Sequence, residues 1–188
     1  QQQREIANIL RTNCLKLQKQ VEELLSFGAT QQHLKSSDRK VISIPSLLQE
    51  VVKAHKLAIK SKRLTFKGNL TNCEILADPV QLRVIFDNLF SNAIKYSPND
   101  GIITVFLKTQ GSKLVMDMED QGPGIDPADK DRLFDPYYQG KTISKATVKG
   151  TGLGLAIAQE FARLHLGSIE AISHSTGAHF RLTLPIEI

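Results

Sequence analysis

Asn88-Leu89-Phe90-Ser91-Asn92-Ala93-Ile94-Lys95-Tyr96 sits inside a longer run whose apolar residues Leu82, Ile85, Phe86, Leu89, Phe90 and Ala93 recur at helical spacing. Asp78 offers an N-cap side chain and Pro79 fits the first turn. Gln81 stands three residues after the cap, where a capping box would use it. Ser97-Pro98-Asn99-Asp100-Gly101 ends the run, so the spacing predicts a helix over 79–96. Asn88 and Asn92 are four residues apart and project from one face of that helix. Lys95 and Tyr96 follow one turn later with a cation and a hydroxyl. Amides beside an apolar stripe need hydrogen-bond partners, which makes this face a candidate site. Taken alone, the pair also reads as ordinary exposed polar residues.

Outward from this helix, strands and helices mix. Upstream, a short strand over 41–44 precedes a helix with Pro45 near its start and Leu47, Leu48, Val51 and Val52 on one face. Strand candidates at 63–66 and 73–77 follow. Downstream, 102–108 and 114–119 form a hairpin turned at Gln110-Gly111-Ser112. A polar, glycine-containing stretch leads to a helix over 155–166 and closing strands at 169–173 and 179–184. Hairpins mixed with helices predict an α+β sandwich, a largely antiparallel sheet with helices on one face.

The first residues differ in kind. Ile6, Leu10, Cys14, Leu17, Val21 and Leu24 alternate steps of four and three, the seam of one long helix, with Ser36-Ser37-Asp38 as a linker. The division expected is 1–36 and 37–188. A seam this long needs a partner, because isolated helices are marginal in water. Gln1-Gln2-Gln3-Arg4 enters mid-helix, so the chain reads as a piece of a longer protein.

Two further clusters carry chemistry. Asp120-Gln121-Gly122-Pro123-Gly124-Ile125 directly follows a strand. Its glycines let the backbone bend and approach a flat ligand, and its carboxylate accepts from an exocyclic amine such as adenine's. A plain Gly-Pro-Gly turn is the alternative. In Lys149-Gly150-Thr151-Gly152-Leu153-Gly154-Leu155-Ala156-Ile157, glycines run straight into a helix, whose N-terminal N–H groups favour phosphate. It is not a P-loop, lacking Gly-Lys-Ser/Thr, and Leu155 stands where a dinucleotide fingerprint needs glycine.

Composition sets outer limits. With 188 residues, 41% hydrophobic and 23% charged, the chain is of ordinary globular make-up, and no run approaches the length that crosses a bilayer. Cys14 and Cys73 make no metal or redox spacing. Much of the net charge of +5 lies between Lys53 and Lys67, which reads as a solvated helix face; no nucleic-acid partner is expected.

In this order, the clusters resemble the motifs of bacterial sensor histidine kinases. Residues 88–97 look like their N box and Asp120–Ile125 like their first glycine box. Leu133-Phe134-Asp135-Pro136-Tyr137-Tyr138 looks like their F box, and Gly150–Ile157 like the second glycine box. The resemblance implies a Bergerat-type sandwich, ATP and Mg²⁺, and transfer of the γ-phosphoryl group to a histidine. That histidine would sit on a hairpin helix preceding this chain. Phosphate would then pass to an aspartate of a response-regulator receiver domain. It implies Asn92 as the Mg²⁺ ligand, Asn88 beside the metal–phosphate unit, and Lys95 on phosphate with Tyr96 adjoining. Asp120 would take the adenine amine, with Gly122, Gly124 and Ile125 at the base and Tyr138 near sugar or base. Gly150, Thr151, Gly152, Leu153, Gly154 and Leu155 would wrap the phosphates.

Residues 126–149 would form a mobile lid with Lys141, Lys145 and Lys149 as cations, hinged at Gly140 and Gly150. Lys141 is the candidate stand-in for an arginine common in the family, where this chain has Gln139. Residues 1–36 resemble the second hairpin helix, implying a homodimer in the full-length protein and a cytoplasmic position below a bacterial inner-membrane sensor.

None of His33, His55, His165, His174 and His179 has the acceptor's flanking pattern, and each reads as a surface or packing residue. Two alternatives share the fold: a water-activating ATPase, and a serine kinase of the anti-sigma type. Both resemble one another in placing a glutamate base four residues before the metal asparagine. Here that residue is Asn88, an amide that cannot take a proton.

Overall fold

The computed structural model describes residues 38–140, 150–172 and 176–186. The expected N-terminal helix with its seam lies outside them, as do Lys141, Lys145 and Lys149. Strands β2 (Thr65–Leu70), β4 (Ile102–Gln110), β5 (Lys113–Glu119), β6 (Ser168–Ile172) and β7 (His179–Pro185) form one sheet in the order β2-β4-β5-β7-β6. Only β2–β4 is parallel; the other pairings are antiparallel.

Alternation explains the sheet. Along one face the register aligns Leu107, Met116 and Leu182, then Val105, Met118 and Phe180, all buried. Against this face pack helices α1 (Ile44–Ala54), α3 (Pro79–Tyr96) and α4 (Gly154–Leu164), whose Leu48, Val51, Leu82, Phe86, Leu89, Phe90, Ala158 and Ala162 complete the core. A short helix, α2 (Lys56–Ser61), and a separate antiparallel pair of β1 (Lys40–Ser43) and β3 (Glu74–Ala77) flank it. The opposite sheet face is polar. There Asp117 accepts from His179 and Arg181 at 2.8 and 2.7 Å. Burial pushes its carboxyl up, but these two hydrogen bonds outweigh burial and hold it below the usual carboxylate range.

Local signals located α3 at its full expected span. Asp78 caps it, accepting from the N–H groups of Val80 and Gln81 at 2.9 and 3.2 Å. The capping box is corrected by tertiary contact. The Asp78 N–H donates to His165 Nε2 at 3.1 Å, and the buried Gln81 Oε1 has no hydrogen-bond partner among the described residues. The strand expected at 63–66 starts later, because Arg63 turns the chain at φ 52°. Its guanidinium grips Asp100 with two contacts of 2.6 Å. The α2 helix falls within the stretch 53–67 read as a solvated helix face, and Lys56–Ser61 buries no residue.

His165 joins α4 to the α3 cap, as a packing histidine. Its Nδ1 lies 2.8 Å from the Phe161 carbonyl, so that nitrogen carries the proton and Nε2 accepts. Burial lowers its pKa. A folded pKa below the unfolded value near 6.5 means the unfolded chain binds the extra proton first. Stability from this group is therefore present above about pH 6.5 and lost on acidification below it. Urea titrations at neutral pH and near pH 5.5 should show that loss shrinking in His165→Asn; an unchanged loss would reject the assignment. Among the described residues no helix is long and apolar enough to cross a membrane.

Candidate functional site

One face of α3 gathers the polar clusters. Asn88 Nδ2 donates back to the Val84 carbonyl at 2.9 Å, which turns its side-chain oxygen toward the start of α4. The approach is so close that a Cβ on Gly154 would stand 2.5 Å from that oxygen. One turn on, Asn92 is half-buried, and no described residue hydrogen-bonds its side chain. Its amide oxygen is a hard donor of the type Mg²⁺ prefers. Lys95 Nζ lies 4.8 Å from the centre of the Tyr96 ring, and a Cβ on Gly150 would come within 2.9 Å of it. The Tyr96 carbonyl borders Gly122, whose missing Cβ would meet it at 2.8 Å and Asp120 Oδ1 at 2.9 Å.

Asp120 is held at the end of β5 from two sides. Its Oδ1 accepts from the N–H groups of Gly122 and Ala178 at 2.8 and 3.0 Å, and its own N–H donates to the Ala178 carbonyl at 3.0 Å. The carboxylate is 6% exposed, so its acceptor capacity is directed by the fold rather than by water. Gly124 follows in the left-handed region at φ 79°, against Gly177, and Ile125 packs on the core edge.

The glycine turn before α4 is held locally by Thr151. Thr151 Oγ1 accepts from the Leu153 N–H at 3.3 Å, and the Leu153 side chain is buried. Leu153 at the N-cap gives α4 no side-chain cap, and the first internal bond of the helix runs from Ile157 N–H to the Leu153 carbonyl. The N–H groups of Gly154, Leu155 and Ala156 are thus the helix's first-turn donors, with the positive dipole end behind them. Tyr137 and Gln139 brace the turn, donating to the carbonyls of Gly152 and Gly150.

Not every expected residue arrives. The Tyr138 hydroxyl donates to Asp129 at 2.7 Å, which with burial raises its pKa, and Arg132 lies 4.3 Å over its ring. No described contact joins Tyr138 to the α3 face; Tyr137, at φ 64°, takes the place beside the glycine turn. The first part of the expected lid is packed: Pro127–Arg132 is a 3-10 helix capped by Asp126, with Asp129 buried. A Cβ on Gly140 would meet Asp129 Oδ2 at 2.6 Å, so this glycine marks a close contact.

Sequence reading also missed Lys62. Its ammonium donates to the carbonyls of Ile94, Lys95 and Ser97, each at 2.8 Å, closing the end of α3 that carries Lys95 and Tyr96. Nothing in a lysine-rich run marks one lysine as a helix cap. Lys62→Met should cost about 2 kcal/mol in urea unfolding, the net worth of charged hydrogen bonds at a half-exposed site. Lys62→Arg should recover part of it. No loss in the methionine variant would show these bonds to be neutral.

An amide pair, a buried acid and a glycine turn thus meet on one helix of a two-layer α+β sandwich. A sequence model of the family described as histidine kinase-, DNA gyrase B-, and HSP90-like ATPase matches residues 77–188, and the chain belongs to that family. It is 31% identical over 185 residues to the sensor histidine kinase GlrK of Escherichia coli K12, covering 98% of this chain and 39% of that protein. Its fold matches full-length ShkA in complex with AMPPNP, with a TM-score of 0.84 and 24% identity over 99% of this chain and 39% of that one. It also matches histidine kinase ThkA in complex with the response regulator protein TrrA, at 0.77 and 21% over 96% and 50%.

Proposed function

We propose that this domain binds Mg-ATP on the α3 face and serves as the kinase core of a two-component sensor. The observation that carries the reading is the meeting of Gly154 with Asn88, Gly150 with Lys95 and Gly122 with Tyr96 and Asp120 along one helix face. Both glycine segments touch the same helix, so base and phosphates of one nucleotide can be held at once. Adenine's amine would meet the Asp120 carboxylate, whose oxygens each carry two lone pairs. Phosphates would lie over the start of α4 with Lys95 beside them. The cradle fits Mg²⁺ with phosphate: Asn92 offers the amide oxygen and Asn88 adjoins it, where side chains at Gly150 and Gly154 would intrude. Bound there, Mg²⁺ would neutralise charge on the phosphates.

Asn88 also supports a histidine acceptor over water or serine. Its amide nitrogen is spent on Val84, and neither end of the group can take a proton. A neutral imidazole needs no base to attack: its nitrogen bonds to the γ-phosphorus as the bridging oxygen leaves with ADP. The chain spans 39% of its curated relative, and the acceptor histidine is assigned to a hairpin helix preceding residue 1. A receiver domain as the next acceptor is supported by the regulator bound to ThkA in its complex. A homodimer built on residues 1–36, and a place on the cytoplasmic side of an inner-membrane sensor, belong to the same reading.

Labelled ATP with this chain alone should give no acid-labile phosphoprotein. Adding a peptide or domain with the preceding hairpin helix should produce alkali-stable, acid-labile label on that helix. Label on His33, His55, His165, His174 or His179 would overturn the assignment, and steady ATP hydrolysis without transfer would favour the ATPase alternative.

A further inference from the structure

Away from the α3 face, α1, α2 and β2 enclose a groove of about 420 Å³, walled by Leu48, Val52, Ile59, Phe66 and Leu70 with Gln49 beside them. Most of these side chains are only partly buried: Val52, Ile59, Phe66 and Leu70 pack on the core with one side and line the groove with the other. That volume is in the range of small-ligand sites, roughly 300–1,000 Å³. Lys53 and Lys56 stand at its rim. The surrounding chain, from Val51 to Gly68, carries Lys53, Lys56, Lys60, Lys62, Arg63 and Lys67 and no carboxylate. Lys62 is spent on the end of α3 and Arg63 on Asp100. Lys53 and Lys56 are exposed and make no ion pair with any described residue.

We infer that this groove binds a small anionic amphiphile, an apolar chain in the cleft with its acidic head between Lys53 and Lys56. The chemistry of the walls selects this occupant. They expose almost no polar atoms, so a nucleotide, sugar or extended peptide would bury its donors and acceptors without partners. A neutral hydrocarbon would fill the cleft but leave the cationic rim unused, whereas a carboxylate gains charged hydrogen bonds there. A bilayer surface is flat or convex from the protein's side and does not fill a concave cleft. The inference is independent of nucleotide binding.

The test is calorimetry and methyl NMR on the 188-residue chain with sodium decanoate, kept below micelle formation. Saturable one-to-one binding is expected, shifting the methyl resonances of Leu48, Val52, Ile59 and Leu70. Decyltrimethylammonium and decanol should each bind at least about tenfold more weakly, the equivalent of one charged hydrogen bond. The exposed double variant Lys53→Glu/Lys56→Glu should lose a similar factor while keeping the wild-type unfolding midpoint. Equal affinity for the cationic chain, no saturation, or shifts away from the groove would each overturn the proposal. So would binding only to anionic phospholipid vesicles, which would mark a membrane surface. An acidic amphipathic peptide that binds where decanoate does not would equally replace it.

Discussion

Asn92→Ala should abolish the magnesium-dependent part of ATP binding while leaving the domain folded. The residue projects from α3 between Asn88 and Lys95, half-buried and engaged by no described side chain or backbone group. Its removal therefore breaks no hydrogen bond to a described residue. Alanine is the better helix former, by about 0.5 kcal/mol, so stability should hold or rise slightly. Binding should respond very differently. Losing even an outer-shell partner of a metal site costs roughly 10–100-fold, so loss of the proposed ligand itself should weaken Mg-ATP by about 100-fold or more. Calorimetry with and without Mg²⁺ separates the cases: the wild type should bind more tightly with the metal, and the variant should show no difference. A variant that keeps the magnesium enhancement would remove Asn92 from the site.

Asp120→Asn tests the other end of the proposed nucleotide site. The turn survives the change, because an asparagine oxygen can still accept from the N–H groups of Gly122 and Ala178. What is lost is the negative charge and one acceptor, which becomes an NH₂ group facing adenine's amine. A charged hydrogen bond is worth about 1.5–3 kcal/mol, so ATP affinity should fall roughly 10- to 100-fold. GTP, which presents a carbonyl in place of that amine, should be affected far less, and the preference for ATP should narrow. Parallel titrations of the two nucleotides, with a melting curve for each variant, decide the point. Equal losses for both would mean that Asp120 supports the turn without reading the base.

The groove and Lys62 lie in the same lysine-rich stretch and illustrate how differently one residue type is used there. Lys62 ends α3 from inside the fold, Arg63 pins a turn, and Lys53 and Lys56 face outward at a cleft rim. A solvated helix face, the reading given to that stretch, describes Lys53, Lys56 and Lys60 but not Lys62 or Arg63.

Much of this molecule is written in local pattern. The α3 helix shows itself through its stripe, its Asp78-Pro79 start and its proline-glycine stop, because helix spacing and caps depend on neighbours within a few residues. The hairpin β4–β5 is equally local, turning at Gly111 with φ 59°. Asn88 and Asn92 could be named as site candidates because they set amides beside an apolar helix stripe, and Asp120 and the glycines at 150–154 because they stand where a strand ends and a helix begins. Their meeting on one face was decided only in three dimensions. It depends on α4 packing against α3, and on Ala178, far along the chain, holding Asp120. His165 displacing Gln81 at the α3 cap, the Tyr137 N–H holding the glycine turn, and Lys62 closing a helix more than 30 residues away were likewise tertiary outcomes. The physical reason is common to all: a hydrogen bond between distant residues costs chain entropy that only the assembled core offsets. No short window of sequence contains that balance.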